Sequence, residues 1–205
     1  SELQLETAKL ISKKFTEVVI APKISKQAKD LLTKKKNLII IEYQKKKQKK
    51  SLRQFRSTRN FLLIQDYDLK NLDSKNLKIV TKKKPSKKQV KDLLFASKVC
   101  KYVNSNAIVV ASNGLTKGIG VGQTNRLDST KHAIKKSLEF KNKKNNFVLA
   151  SDGFFPFPDI IKLCKDNGVS SIIQPGGSIN DKIVIQEANK FDISMVFSGI
   201  RHFKH

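Results

Sequence analysis

The chain has 205 residues, 39% of them hydrophobic, and 42 Lys and Arg against 17 Asp and Glu give it a formal charge of +25. The apolar share is enough for one large or two small cored domains, while no run approaches the ~18 uninterrupted apolar residues that read as a membrane span. Two cysteines, Cys100 and Cys164, stand in helical patterns with no CxxC or Cys/His cluster, which argues against a disulfide framework and a zinc site. No charged-then-apolar leader opens the chain, so a cytoplasmic location is expected. A start at Ser1 and a single methionine, Met195, read as a fragment.

ETAKLISKKF carries apolar residues at helical spacing, and EVVIAP after it reads as a buried strand closed by proline. SKQAKDLLTKK and NLIIIE repeat the helix and the strand, a βαβ rhythm that favours a mainly parallel sheet with helices packed on it. YQKKKQKKSLRQFRSTRN lacks an apolar period and predicts an exposed loop, and FLLIQDYD and LKIVT predict two short strands. The proline and charge run of TKKKPSKK mark a boundary, dividing the chain into residues 1–84 and 85–205. Beyond it SKKQVKDLLFASKVCKYV is the strongest helix, followed by strand NAIVVAS, turn NG and strand KGIGVGQ. Then come helix DSTKHAIKKSLEF, strand FVLAS, helix PDIIKLCKDNG, strand SSIIQ, helix DKIVIQEANKF and strand SMVFSG. Asn113-Gly114 is a two-residue hairpin signal, so one strand pair is antiparallel. The expected fold class is α/β, with mixed sheets and helices on them in two lobes, the first cut short on its N-terminal side.

Four loops sit where strands end, the place where open α/β sheets bind ligands: SNA with QTNRLD, SDGFFPFPD, QPGGSIND and SGIRHFKH. Gly118, Gly120 and Gly122 are spaced GxGxG rather than GxGxxG and follow a hairpin, so they predict close backbone approach rather than a dinucleotide cradle. QPGGSIND suits either a turn with a helix cap or an anion or carbonyl on free backbone N–H groups. Asn106 offers an amide donor and acceptor, and Arg126 and Arg201 offer planar forks for phosphate or carboxylate. Lys131-His132 falls on a solvated helix face, and no histidine pair has metal-ligand spacing. The lysines are spread in short runs and travel with Asn and Ile, which fits compositional drift on solvated faces as well as it fits an anionic partner.

Taken together, KYVNSNAIVVASNGLTKGIGVGQTNRLDS, LASDGFFPFPD, IIQPGGSINDKIVI and FSGIRHFKH resemble the C-terminal half of the AICAR transformylase part of bifunctional purine biosynthesis proteins. ETAKLISKKFTEVVIAP, NFLLIQDYDL and LKIVTKKKPSKKQVKDLLFASKVCKYV resemble the same family, so the likeness spans essentially the whole chain. It implies cytidine-deaminase-like lobes without zinc, a homodimer with active sites at the subunit interface, and formyl transfer from 10-formyltetrahydrofolate to AICAR. In those terms residues 1–84 are the end of the first transformylase lobe with a basic linker, and residues 85–205 are the second lobe. A potassium ion near the C-terminus is implied by some members.

Carried over position by position, the resemblance places Asn106, Arg126, Phe154 and Arg201 against AICAR, and Leu127, Asp159, Ser178 and Ile179 near the folate. It implies that FFPFPD is a rigid wall whose aromatic faces pack a flat heterocycle. The family's catalytic Lys-His motif lies upstream of Ser1, and Lys131-His132 does not occupy its place. The cyclohydrolase domain is absent too, so the chain by itself is expected to bind poorly and not to turn over. Asn125, where the family tends to have Ser, and Arg59-Asn60, where it has small residues, are departures. Two other readings compete: a basic nucleic-acid-binding module, disfavoured because the Phe cluster lies away from KKKQKK, and a remnant that only dimerises with a complete or complementary partner.

Overall fold

The computed structural model describes residues 1–43, 53–140 and 146–204. The chain divides into two compact units, Ser1–Tyr67 and Asp68–His205. This division falls earlier than the expected 84/85 boundary because the strand that follows Asp68 joins the larger sheet.

In the first unit, helix α1 (Leu5–Ser12), strand β1 (Val18–Ala21), helix α2 (Lys26–Leu32) and strand β2 (Ile39–Glu42) appear in the expected order. β1 and β2 pair in parallel, with Val18 opposite Ile39 and Ile20 opposite Ile41. The Ser25 side chain caps α2 by accepting from the Ala28 amide, so the helix starts at the serine that its sequence pattern indicates. Ala8, Val19, Ala21, Ala28 and Leu32 form a small core, whereas Val18, Ile20, Ile39 and Ile41 are exposed. Strands β3 (Arg53–Ser57) and β4 (Leu62–Asp66) form an antiparallel hairpin. The expectation of an exposed loop is thus corrected over Arg53–Ser57: Phe55 pairs with Ile64, Gln65 donates to Gln54 and Arg53 stands opposite Asp66. KKKQKK lies outside the described residues.

The second unit is built on one six-stranded mixed sheet. Its members are β5 (Lys78–Ile79), β6 (Ile108–Ser112), β7 (Leu115–Gly120), β8 (Phe147–Ser151), β9 (Val169–Gln174) and β10 (Ser194–Phe197), in the order β5-β10-β9-β8-β6-β7. β8, β9 and β10 run parallel, and β5, β6 and β7 each pair antiparallel with a neighbour. Asn113 and Gly114 both take positive φ, 56° and 68°, as the twisted two-residue turn between β6 and β7 requires.

Both faces of this sheet are covered, which is why its strands read as continuous apolar runs. Ile108, Val110, Phe147, Leu149 and Ile172 face α4 (Arg126–Leu138), α5 (Asp159–Asp166) and α6 (Asp181–Lys190). Val109, Ala111, Val148, Ala150 and Ile173 face α3 (Lys87–Cys100). Each fully buried Leu, Ile or Phe contributes roughly 1.5–3 kcal/mol. Ser86 and Gln89 form a capping box at the start of α3, and the buried Asp92 carboxylate accepts from the Asn113 and Gly114 amides, tying α3 to the hairpin turn. A Cβ at Gly118 would lie 1.9 Å from the Ala133 carbonyl oxygen, and one at Gly120 the same distance from that of Ser129. The GxGxG run therefore lets the α4 backbone press onto β7. Cys100 and Cys164 are free and buried, and burial pushes both thiols well above their ordinary value.

Candidate functional site

The carboxyl ends of β8, β9 and β10 meet at one edge of the sheet, and the antiparallel β6 brings its N-terminal end to the same edge, with Ile108 opposite Ser151. All eight expected site residues belong to the loops and helix starts that leave this edge.

Arg126 opens α4 directly after Asn125, whose side chain accepts from the Asp128 amide and caps the helix. The Arg126 side chain does not project into solvent. It is 8% exposed, and its Nη1 donates to Ser151 Oγ at 3.0 Å and to the Asp152 carboxylate. Asp152, 0% exposed, also accepts from Ser105 Oγ at 2.5 Å, and its carbonyl accepts from the His202 amide. Such a pair, desolvated on both sides, holds its geometry because removing either member strands a buried charge. A Cβ at Gly153 would lie 2.4 Å from Arg126 Nη2 and 3.0 Å from the Phe203 ring, so only glycine leaves room for the guanidinium.

The three phenylalanines of FFPFPD go to three places. Phe155 is fully buried in the core and its amide donates to the buried Gln174 side chain, so it is no ligand wall. Phe154 is half-buried and carries the Arg201 guanidinium over its ring, 5.0 Å from the centroid. Phe157 is exposed. It joins Pro156, Asn125, Arg126, Leu127 and Asp159 around a cleft of about 260 Å³ between the starts of α4 and α5. Leu127 and Asp159 are thereby brought together in one cleft. The Asp159 carboxylate also accepts from the Ile160 amide.

The QPGGSIND loop turns through Gly176 and Gly177, with φ of 74° and 87°, a region other residues enter at a cost. Arg201 Nη2 comes within 3.6 Å of where a Cβ at Gly177 would stand. Asp181 accepts from the Gly177 amide through Oδ2, while its Oδ1 is buried without a partner among the described residues. Ser178 is half-buried and accepts from the Asn180 amide, whereas Ile179 is 99% exposed. Asn106 lies at the opposite end of the cluster. Its side-chain amide donates to the Gln123 carbonyl and its own carbonyl accepts from Ser129 Oγ, so part of its polar capacity is tied to the fold.

The structure thus joins Arg126, Phe154 and Arg201 along the sheet edge and groups Leu127 with Asp159, while Asn106 is linked to Arg126 through Ser105 and Asp152. Asp152, Ser151, Gly153 and Phe157 lie in the SDGFFPFPD loop marked in the sequence, but none of them was given a site role there. An aspartate at the end of a strand that opens with the apolar run FVLA was the available signal, because a buried charge there requires a partner. Asp68 lies beside the C-terminal tail, its carboxylate 2.5 Å from His202 Nδ1 and 3.6 Å from Lys101 Nζ. Burial works to raise the Asp68 carboxyl, but the hydrogen bond and charge of His202, with the Lys70 amide and Lys101, hold it below the usual carboxylate range.

A model of the family described as AICARFT/IMPCHase bienzyme matches residues 1–136. The chain is 47% identical over 203 residues to the bifunctional purine biosynthesis protein PurH of Thermoanaerobacter sp. (strain X514), covering 99% of this chain and 39% of that protein. It is 46% identical over 204 residues to PurH of Persephonella marina, and 45% identical over 208 residues to PurH of Buchnera aphidicola subsp. Schizaphis graminum, again with 99% and 39% covered. The chain therefore spans about two fifths of the length of these curated relatives. Among solved structures, the dCMP deaminase of cyanophage S-TIM5 aligns with 48% of this chain and 88% of its own at 14% identity and a TM-score of 0.34, too slight a likeness to bear on the fold. The extent of the family match and the near-complete coverage of this chain by its relatives lead to one assignment: the chain belongs to the AICARFT/IMPCHase bienzyme family.

Proposed function

We propose that the chain supplies the nucleotide and folate walls of an AICAR transformylase site, in which a formyl group passes from 10-formyltetrahydrofolate to the amino group of AICAR during purine biosynthesis. The observation that carries this reading is the gathering of Arg126, Phe154, Arg201, Leu127 and Asp159 at one sheet edge in a chain of this family. Arg201, fixed over Phe154, offers a guanidinium fork to the nucleotide's phosphate, with the Gly176-Gly177 turn beside it. Asp159 at the cleft offers a carboxylate to the N–H edge of a pterin, with Leu127 and Phe157 as apolar walls and Ser178 and Ile179 on the adjoining loop. Arg126 and Asn106 act from beneath, their side chains held by Asp152 and by the Gln123 carbonyl.

Formyl transfer needs a weak amine held near the formyl carbon, a base for its proton and a charge for the tetrahedral oxyanion. The residues of this chain do the holding. Proton transfer is assigned to the upstream Lys-His motif of the family, and the working unit to a cytoplasmic homodimer with sites at the subunit interface. No step passes through potassium: the Asp152 carboxylate beneath the tail is already matched by the Arg126 guanidinium. The reading is tested by mixing the chain with the upstream Lys-His-containing part of a relative and following formyl transfer to AICAR. Turnover that requires both polypeptides is expected. A folded, associated mixture that shows none overturns the assignment.

A further inference from the structure

A second cleft, of about 220 Å³, lies on the other side of the C-terminal tail, between the last turns of α3 and the segment after Asp68. Its lining combines the cationic residues Lys70, Lys98 and Lys101 with His202, Leu72 and Phe95. Lys101 is unusual for a lysine in that its side chain is only 7% exposed. Its ammonium donates to the Lys70 carbonyl at 2.8 Å, lies 3.6 Å from the Asp68 carboxylate and stands 6.0 Å from the centre of the Tyr102 ring. Asp68 is the one carboxylate that these cations meet among the described residues, and it is shared with His202. Positive charge is therefore in excess. Ser97 lines the cleft beside these lysines. A nearly buried ammonium beside a hydroxyl on the cleft wall offers converging donors to an anionic group.

We propose that this cleft is a second anion site, taking a small organic phosphate or carboxylate whose head meets Lys98, Lys101 and Ser97 and whose apolar body lies on Leu72 and Phe95. The volume admits one such group and is too small for a large cofactor. The tail links the site to the edge described above, since His202 lines the cleft through its side chain while its amide bonds the Asp152 carbonyl, one residue after Arg201.

Phenyl phosphate, a phosphate head on an aromatic body, is the probe, and Arg201→Ala is the background that removes the exposed guanidinium of the other site. Calorimetric titration of the Arg201→Ala chain is expected to show one binding event that weakens about tenfold in Lys98→Glu, the loss of one charge-assisted contact. Amide NMR shifts are expected at Leu72, Phe95, Ser97 and His202. Inorganic phosphate is expected to bind more weakly, because it leaves the apolar floor uncovered. Lys98 is exposed, so its substitution leaves the fold intact, and Ser97→Ala provides a second variant inside the cleft. No binding to the Arg201→Ala chain, binding indifferent to both variants, or shifts confined to other lysine-rich faces would each overturn the proposal.

Discussion

The two units of the chain handle apolar surface in opposite ways. In Asp68–His205, β6 and β8 alternate residues between two helical layers and bury both faces. In Ser1–Tyr67, the parallel pair β1 and β2 buries one face and leaves Val18, Ile20, Ile39 and Ile41 exposed, and every residue of β4 is exposed. The difference teaches where a site can be held. Arg126, Phe154, Arg201 and Asp159 all leave an edge whose supporting strands are packed from both sides, so buried partners fix their positions. A sheet packed from one side offers no comparable frame.

The largest break in this contrast is expected from Phe155→Ala, which opens a cavity at a fully buried ring and should cost about 3–5 kcal/mol in chemical denaturation. Asp152→Asn follows: it strands the Arg126 guanidinium in a buried place and should cost roughly 3 kcal/mol while weakening AICAR binding, read by denaturation and calorimetry on the same sample. Gly118→Ala forces β7 and α4 apart and should lose about 1–3 kcal/mol. By contrast Ile20→Thr, on the open face of the first unit, should move stability by no more than about 0.5 kcal/mol. A large loss there would mean that this face is covered in solution.

The smallest effect concerns pH. Asp68 is held below its ordinary value in the folded chain, so the unfolded chain binds its proton first as pH falls. Its contribution is complete above the ordinary aspartate pKa of about 3.9 and is lost as pH drops through the lower folded value. Asp68→Asn should flatten the stability profile in that acid range, read by chemical denaturation as a function of pH.

Much of the second unit was legible because strands buried on both faces leave uninterrupted apolar runs, and FVLAS, SSIIQ and SMVF all lie in strands. The hairpin at Asn113-Gly114 was legible from turn chemistry and is confirmed by its positive φ values. β3 was hidden because RQFRS has one apolar residue, and its pairing rests on cross-strand partners rather than burial. Within the site, residue types showed where an anion or a heterocycle could be met. They could not show that Phe155 turns inward, or that Arg126 is bound by an aspartate 26 residues further along the chain. Those facts depend on which loops the sheet brings together, and no local spacing encodes them.

Binding of AICAR at the carboxyl edge is tested most directly by calorimetric titration of the chain, with the upstream Lys-His-containing segment of a relative present, comparing wild type with Arg201→Ala. Loss of the exposed guanidinium should weaken AICAR about tenfold or more, corresponding to roughly 1.5–3 kcal/mol for one charge-assisted contact, with stability unchanged. Equal affinity of the two proteins for AICAR, both folded and both associated with the added segment, would contradict the placement of the nucleotide site.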